Sequence, residues 1–278
     1  VRIDALSRHS DSAFATLQRL QTAGGTIRRA PCHHAAPVRG ACGGCAIMHV
    51  AYDAQRDAKR QWVTEALGGL LGDSAVTVVP APSELGYRNR GNYWVQRAPD
   101  GVTVRLGSRA PRTGAFARMD GCLAQRPAVT EMAERVAREA TARAVPVYPD
   151  DGGLRYVSVR AGDDDACVVE LVTGSGGTHW VDGLATALLE RGARGVYHAI
   201  NATEGNAVHG GGPPRLLAGR GEVETSLGGV AVRLGPTSFS QLNTSVASQM
   251  AARVASMAAE VWRGDTGDAA VGARAVWD

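Results

Sequence analysis

The sequence predicts an α+β chain, and three observations carry that reading. Apolar residues recur at helical spacing in several stretches, short alternating runs flank Gly, Pro and Asp turns, and most of those runs come as neighbouring hairpin partners. With 278 residues, 44% hydrophobic and 21% charged, the chain can build one large core or two modest ones and is too apolar for wholesale disorder. It holds no run of about 18 apolar residues, and Val1-Arg2-Ile3-Asp4-Ala5 does not lead into an apolar segment. Neither a membrane span nor a secretion signal is expected.

Taken in order, residues 1–31 hold weak helix signals (Phe14, Leu17, Leu20, Gln21), then Gly24-Gly25, a basic pair Arg28-Arg29 and Pro31, and read as a short leader. From His49 to Leu71 apolar Ala58, Trp62, Ala66 and Leu70 recur at fours among charged residues, which predicts an amphipathic helix. Val76–Val79 reads as a strand stopped by Pro80 and Pro82, and Tyr93–Gln96 pairs with Val102–Arg105 across the Pro99-Asp100-Gly101 turn. Pro127 opens a second helix with Val129, Met132, Val136 and Ala140 on one stripe, ending before Pro146. A hairpin follows, Leu154–Arg160 with Cys167–Val172, turning through Gly162-Asp163-Asp164-Asp165; then come a helix over Val181–Arg191 and a strand over Gly195–Ile200. Beyond the Gly/Pro stretch 210–214, a hairpin turns at Gly228-Gly229, a long helix runs from Thr244 to Trp262, and Ala273–Asp278 reads as a strand. The expected divisions are 1–30, 31–125, 126–240 and 241–278.

Charge is distributed unevenly. Lys59 is the single lysine among 30 basic residues, and a general bias toward Arg, Ala and Gly accounts for that count. Residues 1–120, however, carry sixteen basic and nine acidic side chains, whereas residues 121–278 carry fourteen and eighteen. Arg88, Arg90, Arg97, Arg105, Arg109, Arg112 and Arg118 face only Glu84 and Asp100 within residues 83–118, an electrostatic footprint suited to a polyanion.

Five cysteines without a secretion signal point to metal or catalysis rather than to a disulfide framework. Two residues between Cys42 and Cys45 let both thiolates address one centre, and Gly43-Gly44 allow positive φ and close backbone approach. A redox dithiol would sit after a strand, and none precedes Cys42. A zinc ribbon would need a second C-x-x-C pair. Cys32 lies ten residues upstream and Cys122 far downstream, and three near thiols plus one remote is a pattern that suits iron–sulfur clusters better than zinc. Cys167, in Ala166-Cys167-Val168-Val169, reads as a core residue. His33 and His34 could replace a thiolate but read better as loop residues, and His49, His179, His198 and His209 have no carboxylate or hydroxyl at a telling spacing.

Cys32, Cys42-Gly-Gly-Cys45 with His49 behind it, Tyr87-Arg88-Asn89-Arg90, Cys122 and Phe239-Ser240-Gln241-Leu242-Asn243 together resemble, in order, the motifs of the iron–sulfur branch of the RNA uracil-5-methyltransferase family. Val276-Trp277-Asp278 is similar to the first strand of that family's Rossmann-like methyltransferase domain. The resemblance implies a [4Fe-4S] cluster on Cys32, Cys42, Cys45 and Cys122, RNA contact through Arg88, Asn89 and Arg90, and S-adenosyl-L-methionine contact through Gln241. It also implies a mixed α/β RNA-recognition region after the cluster and methyl transfer to uracil C5 in rRNA or tRNA, in a cytoplasmic monomer. It places the nucleophilic cysteine, the base and the main methyl-donor site beyond Asp278, so the chain alone is expected to be inactive. The alternatives are a non-enzymatic zinc or iron–sulfur RNA-binding module and, less favoured, an electron-transfer protein.

Overall fold

The computed structural model describes all residues except 1, 7–12, 17–18, 20, 23, 36–41, 73, 112, 206, 211 and 266–278. Arg112 and the strand expected at Ala273–Asp278 lie outside the described residues. Along the chain the elements are β1 (Arg2–Leu6), β2 (Ala13–Thr16), α1 (Tyr52–Leu67), β3 (Arg90–Arg97), β4 (Val104–Arg109), β5 (Phe116–Arg118) and α2 (Pro127–Ala142). There follow β6 (Leu154–Ala161), β7 (Cys167–Thr173), α3 (Val181–Glu190), β8 (Ala193–Ile200), β9 (Arg215–Gly219), β10 (Val223–Leu227), β11 (Val230–Leu234) and α4 (Thr244–Asp265).

One sheet runs in the order β5-β4-β3-β6-β7-β8-β9, with every neighbour antiparallel except the parallel pair β7–β8. The α3 crossover makes that parallel pairing possible, since two parallel strands need a connection longer than a hairpin. The same sheet spans the 125/126 division expected from the sequence, so the basic hairpin and the central region share one framework. Helix α2 buries the whole predicted stripe of Val129, Met132, Val136 and Ala140 against one sheet face, and α3 adds Leu184 and Leu188 beside it. Tyr93 and Val95 point into this core, so Trp94 between them points to the opposite face. There Trp94 meets a smaller cluster of Tyr156, Val172, Ala199 and Val208.

Three expectations are corrected. Residues 76–79 form no strand: Pro80 and Pro82 supply no N–H, the Val78 carbonyl accepts from Arg56, and the Ala81 N–H donates to the Tyr52 hydroxyl. Side chains of α1 thus occupy backbone groups that a sheet partner would need. Helix α1 itself forms but buries no residue, leaving Trp62 55% exposed. Residues 13–16, read as weakly helical, pair as β2 with β1, because a few apolar residues at helical spacing do not outweigh a strand partner at hand. The short strands β5 and β9 were not expected; both lie at the outer edges of the sheet, where three to five residues give little periodicity.

Candidate metal centre and adjoining segments

Cys32 leads into a single helical turn over His33–Ala35, Cys42 and Cys45 lie in the following loop, and Cys122 sits between β5 and α2. All four line one small cavity with Met48, Met119 and Ala124, and none is in a disulfide. Burial pushes the Cys45 thiol pKa up, and the neighbouring Cys122, Cys42 and Cys32 push it further, while Arg88 opposes them. Such crowding disfavours a free thiolate and is relieved when a cation shares the charge. The distant thiol therefore joins the near three, which is the donor set that an iron–sulfur cluster or a zinc ion uses.

Spacing among the ligand atoms is informative. Tetrahedral zinc with Zn–S near 2.3 Å would hold its sulfurs about 3.8 Å apart. Among the described residues, the set of three ligand atoms within 4.8 Å of one another is His33, His34 and Asp120, not the cysteines. His34 Nε2 lies 3.0 Å from the Asp120 carbonyl oxygen, and Arg118 holds both Asp120 carboxylate oxygens at 2.8 Å. These groups are thus engaged with one another beside the thiols. Neither glycine of the C-x-x-C element takes positive φ; Gly43 is needed for close approach, because a Cβ there would lie 2.1 Å from Pro111.

Cys167 is 2% exposed at the start of β7, and burial pushes its thiol up to about 12. We expect native, metal-stripped chain to leave Cys167 unmodified by iodoacetamide at pH 8 while Cys42, Cys45 and Cys122 react. Peptide mass mapping reads the outcome, and prompt Cys167 labelling would contradict the burial.

The segment Tyr87–Arg90 touches three places in succession. Tyr87 lies near the thiols: its hydroxyl pKa is raised by burial and then by Cys45, and Cys122 adds to the rise. Arg88 bridges to Gln125 on one side and to Asn243 on the other. The Asn89 backbone N–H donates to Leu242 O at 3.0 Å, and its side-chain amide reaches Gln241 O at 3.5 Å. Asn89 is only 1% exposed, and its side chain joins two segments of the fold. Arg90 donates to Ser158 Oγ at 3.1 Å and lies 3.0 Å from His209 Nε2.

Gln241 is exposed, next to Phe239 at 85% exposure, and Asn243 Oδ1 accepts from Val246 N at the start of α4. Arg160, paired with Arg90 across β3 and β6, holds this loop from below: its guanidinium donates to Ser240 Oγ at 2.7 Å and to the Ser238 carbonyl. Burial, followed by the Arg90 charge, pushes the Arg160 pKa down to about 10. His209, which has no local partner, finds one 39 residues away: its Nδ1 lies 3.2 Å from buried Glu170 Oε1. Neither Arg160 nor Glu170 was singled out from sequence; the alternation of β6 and β7 offered the only signal, as charges inside otherwise apolar strands.

No family model matches the chain. In fold, it is similar to the crystal structure of Pyrococcus abyssi tRNA (uracil-54, C5)-methyltransferase in complex with S-adenosyl-L-homocysteine. That match has a TM-score of 0.63 and 25% identity over 80% of this chain and 52% of that one. In sequence, it is 28% identical to an uncharacterized RNA methyltransferase of Gloeobacter violaceus over 88% of this chain and 54% of the relative. An uncharacterized RNA methyltransferase of Chlorobaculum tepidum is 30% identical over 75% of this chain and 48% of its own length. A 23S rRNA (uracil(1939)-C(5))-methyltransferase of Halomonas elongata is 35% identical over 37% of this chain and 20% of the relative. The chain spans about half the length of the relatives it matches along most of its own length.

Proposed function

We propose that this chain is the metal-centre and RNA-recognition part of an S-adenosylmethionine-dependent RNA uracil-5-methyltransferase. The relatives and the structural neighbour support an RNA methyltransferase family. The observation that carries the fuller reading is the junction of three motifs far apart in sequence: four thiols, Tyr87–Arg90 and Phe239–Asn243 meet along one strand entry.

The residues divide the work. Cys32, Cys42, Cys45 and Cys122 would hold a [4Fe-4S] cluster, which is favoured over zinc because three near thiols and one remote thiol line a single cavity without a second C-x-x-C pair. The cluster would supply a cross-tie between the 32–48 loop and the loop before α2. S-adenosylmethionine would supply the methyl group, approached from this chain by Gln241. Asn89 fixes the backbone on which Gln241 is displayed, and Arg88 and Arg90 supply positive charge for RNA phosphates. With those four thiols held by the cluster and Cys167 buried, this reading leaves none of the described thiols to act as nucleophile.

Two measurements test this. Protein expressed from the intact gene is expected to transfer labelled methyl to C5 of uridine in RNA, and label confined to another base or position would reject the reading. In the present chain, Arg88→Ala and Arg90→Ala are each expected to weaken RNA binding and to flatten the log–log salt dependence by about 0.7. An unchanged slope in both would move the phosphate contacts elsewhere.

A further inference from the structure

We propose that the sheet face opposite α2 at its β5-β4-β3 end is a base-stacking surface for single-stranded RNA, formed by Trp94 and Phe116 with Arg105 and Arg109. This rests on the RNA-binding reading and gives it a second contact area, beyond Arg88 and Arg90 at the start of β3.

The register builds the surface. Trp94 pairs with Gly107, Gly107 with Arg118, and Arg109 with Phe116, so these side chains share the face opposite α2. Gly107 is the floor: a Cβ there would come within 2.5 Å of the Phe116 ring and 2.3 Å of the Ala117 carbonyl. Without that Cβ, Phe116 lies across the strand and its ring centre comes 5.9 Å from that of Trp94. Arg109 sits over the Trp94 ring at 4.1 Å and Arg105 over Phe116 at 4.9 Å. Two aromatic rings and two planar cations thus form one continuous patch.

Charge identifies the occupant. Neither β4 nor β5 contains an acidic residue. The nearby carboxylates are taken: Asp120 by Arg118, and Asp100 by Val102 N, Thr103 N and Thr103 Oγ1 in the hairpin turn. Arg105 donates to the Arg97 carbonyl at 3.5 Å and its charge helps to hold the Asp100 carboxyl low, while Arg109 lies against the Trp94 ring. A partner with flat apolar faces and negative charge at short intervals satisfies both features, and unpaired RNA offers its base faces where a duplex hides them.

The test uses the present chain, a fluorescent oligouridine and a hairpin duplex of equal charge. Phe116→Leu and Arg109→Lys each keep the net charge, so each is expected to weaken oligouridine binding about tenfold with the salt slope unchanged. Trp94→Phe keeps a ring and is expected to retain most affinity, whereas Trp94→Leu loses it. A 4-thiouridine crosslink to peptides containing Trp94 or Phe116 supports the surface. Unchanged affinity in Phe116→Leu and Arg109→Lys, with crosslinks confined to Arg88–Arg90, overturns it while leaving the RNA reading standing, and would assign the patch to a protein contact. Failure of the parent chain to bind either RNA removes both readings.

Discussion

Cys122→Ser is expected to reduce the iron and acid-labile sulfide of anaerobically purified chain to near background, while Cys167→Ser retains them. Cys122 is the ligand that differs from the others in kind: it comes from the loop before α2, 77 positions after Cys45. The other three lie between residues 32 and 45, where the Ser108 hydroxyl donates to Cys42 Sγ at 3.8 Å. A serine hydroxyl, far harder to deprotonate than a thiol, is a much poorer ligand for cluster iron, and a weakened arm leaves the cluster tied mainly to a single segment. Proteolysis within residues 32–48 is expected to accelerate in parallel, since metal binding to a loop is also folding energy for that loop. Iron retained in Cys122→Ser but lost in Cys167→Ser would refute the ligand set. Stoichiometric zinc in colourless parent protein would replace the cluster by a zinc centre.

Arg160→Met is expected to destabilise the chain by about 2–4 kcal/mol in urea unfolding, read as a lower midpoint at unchanged slope. Two effects compete. Removing the guanidinium relieves its repulsion with Arg90, but it takes a charged donor away from the half-buried Ser238 carbonyl and Ser240 hydroxyl. Hydrogen bonds to a charged group are each worth about 1.5–3 kcal/mol, more than a repulsion already softened by Ser158 and His209 around Arg90, so the loss wins. Arg160→Lys keeps the charge but reaches fewer of the acceptors and is expected to fall between. Hydrogen exchange should quicken at residues 238–243 before it does in β6. A destabilisation below about 0.5 kcal/mol would show that the loop is held from elsewhere.

The regular part of the fold was legible because its signals are local. Pro127 and the Val129–Ala140 stripe predicted α2, and the Asp-rich turn between two apolar runs predicted β6 and β7. The thiol set was legible as a resemblance, and the shared cavity is consistent with it. What was not legible depends on partners distant in sequence. Val76–Val79 has strand-forming residues but loses its backbone groups to Tyr52 and Arg56, which nothing in the segment announces. Asn89 looks like a surface polar residue until Leu242 and Gln241 close over it. Glu170 and His209 form a pair across 39 residues, and Phe116 gains its place only because Gly107 lies beside it in the neighbouring strand.

The junction of Asn89 with the 241–242 backbone closes a contour of 152 residues. Contacts of that span arise late, because the chain entropy between the ends must be given up first. During synthesis, β3 and β6 therefore leave the ribosome with Asn89 and Arg160 still waiting for acceptors that are translated some 80 and 150 residues afterwards. Translation through residue 243 is the moment at which the motif strand can lock, and a pause placed just upstream would prolong the open form most.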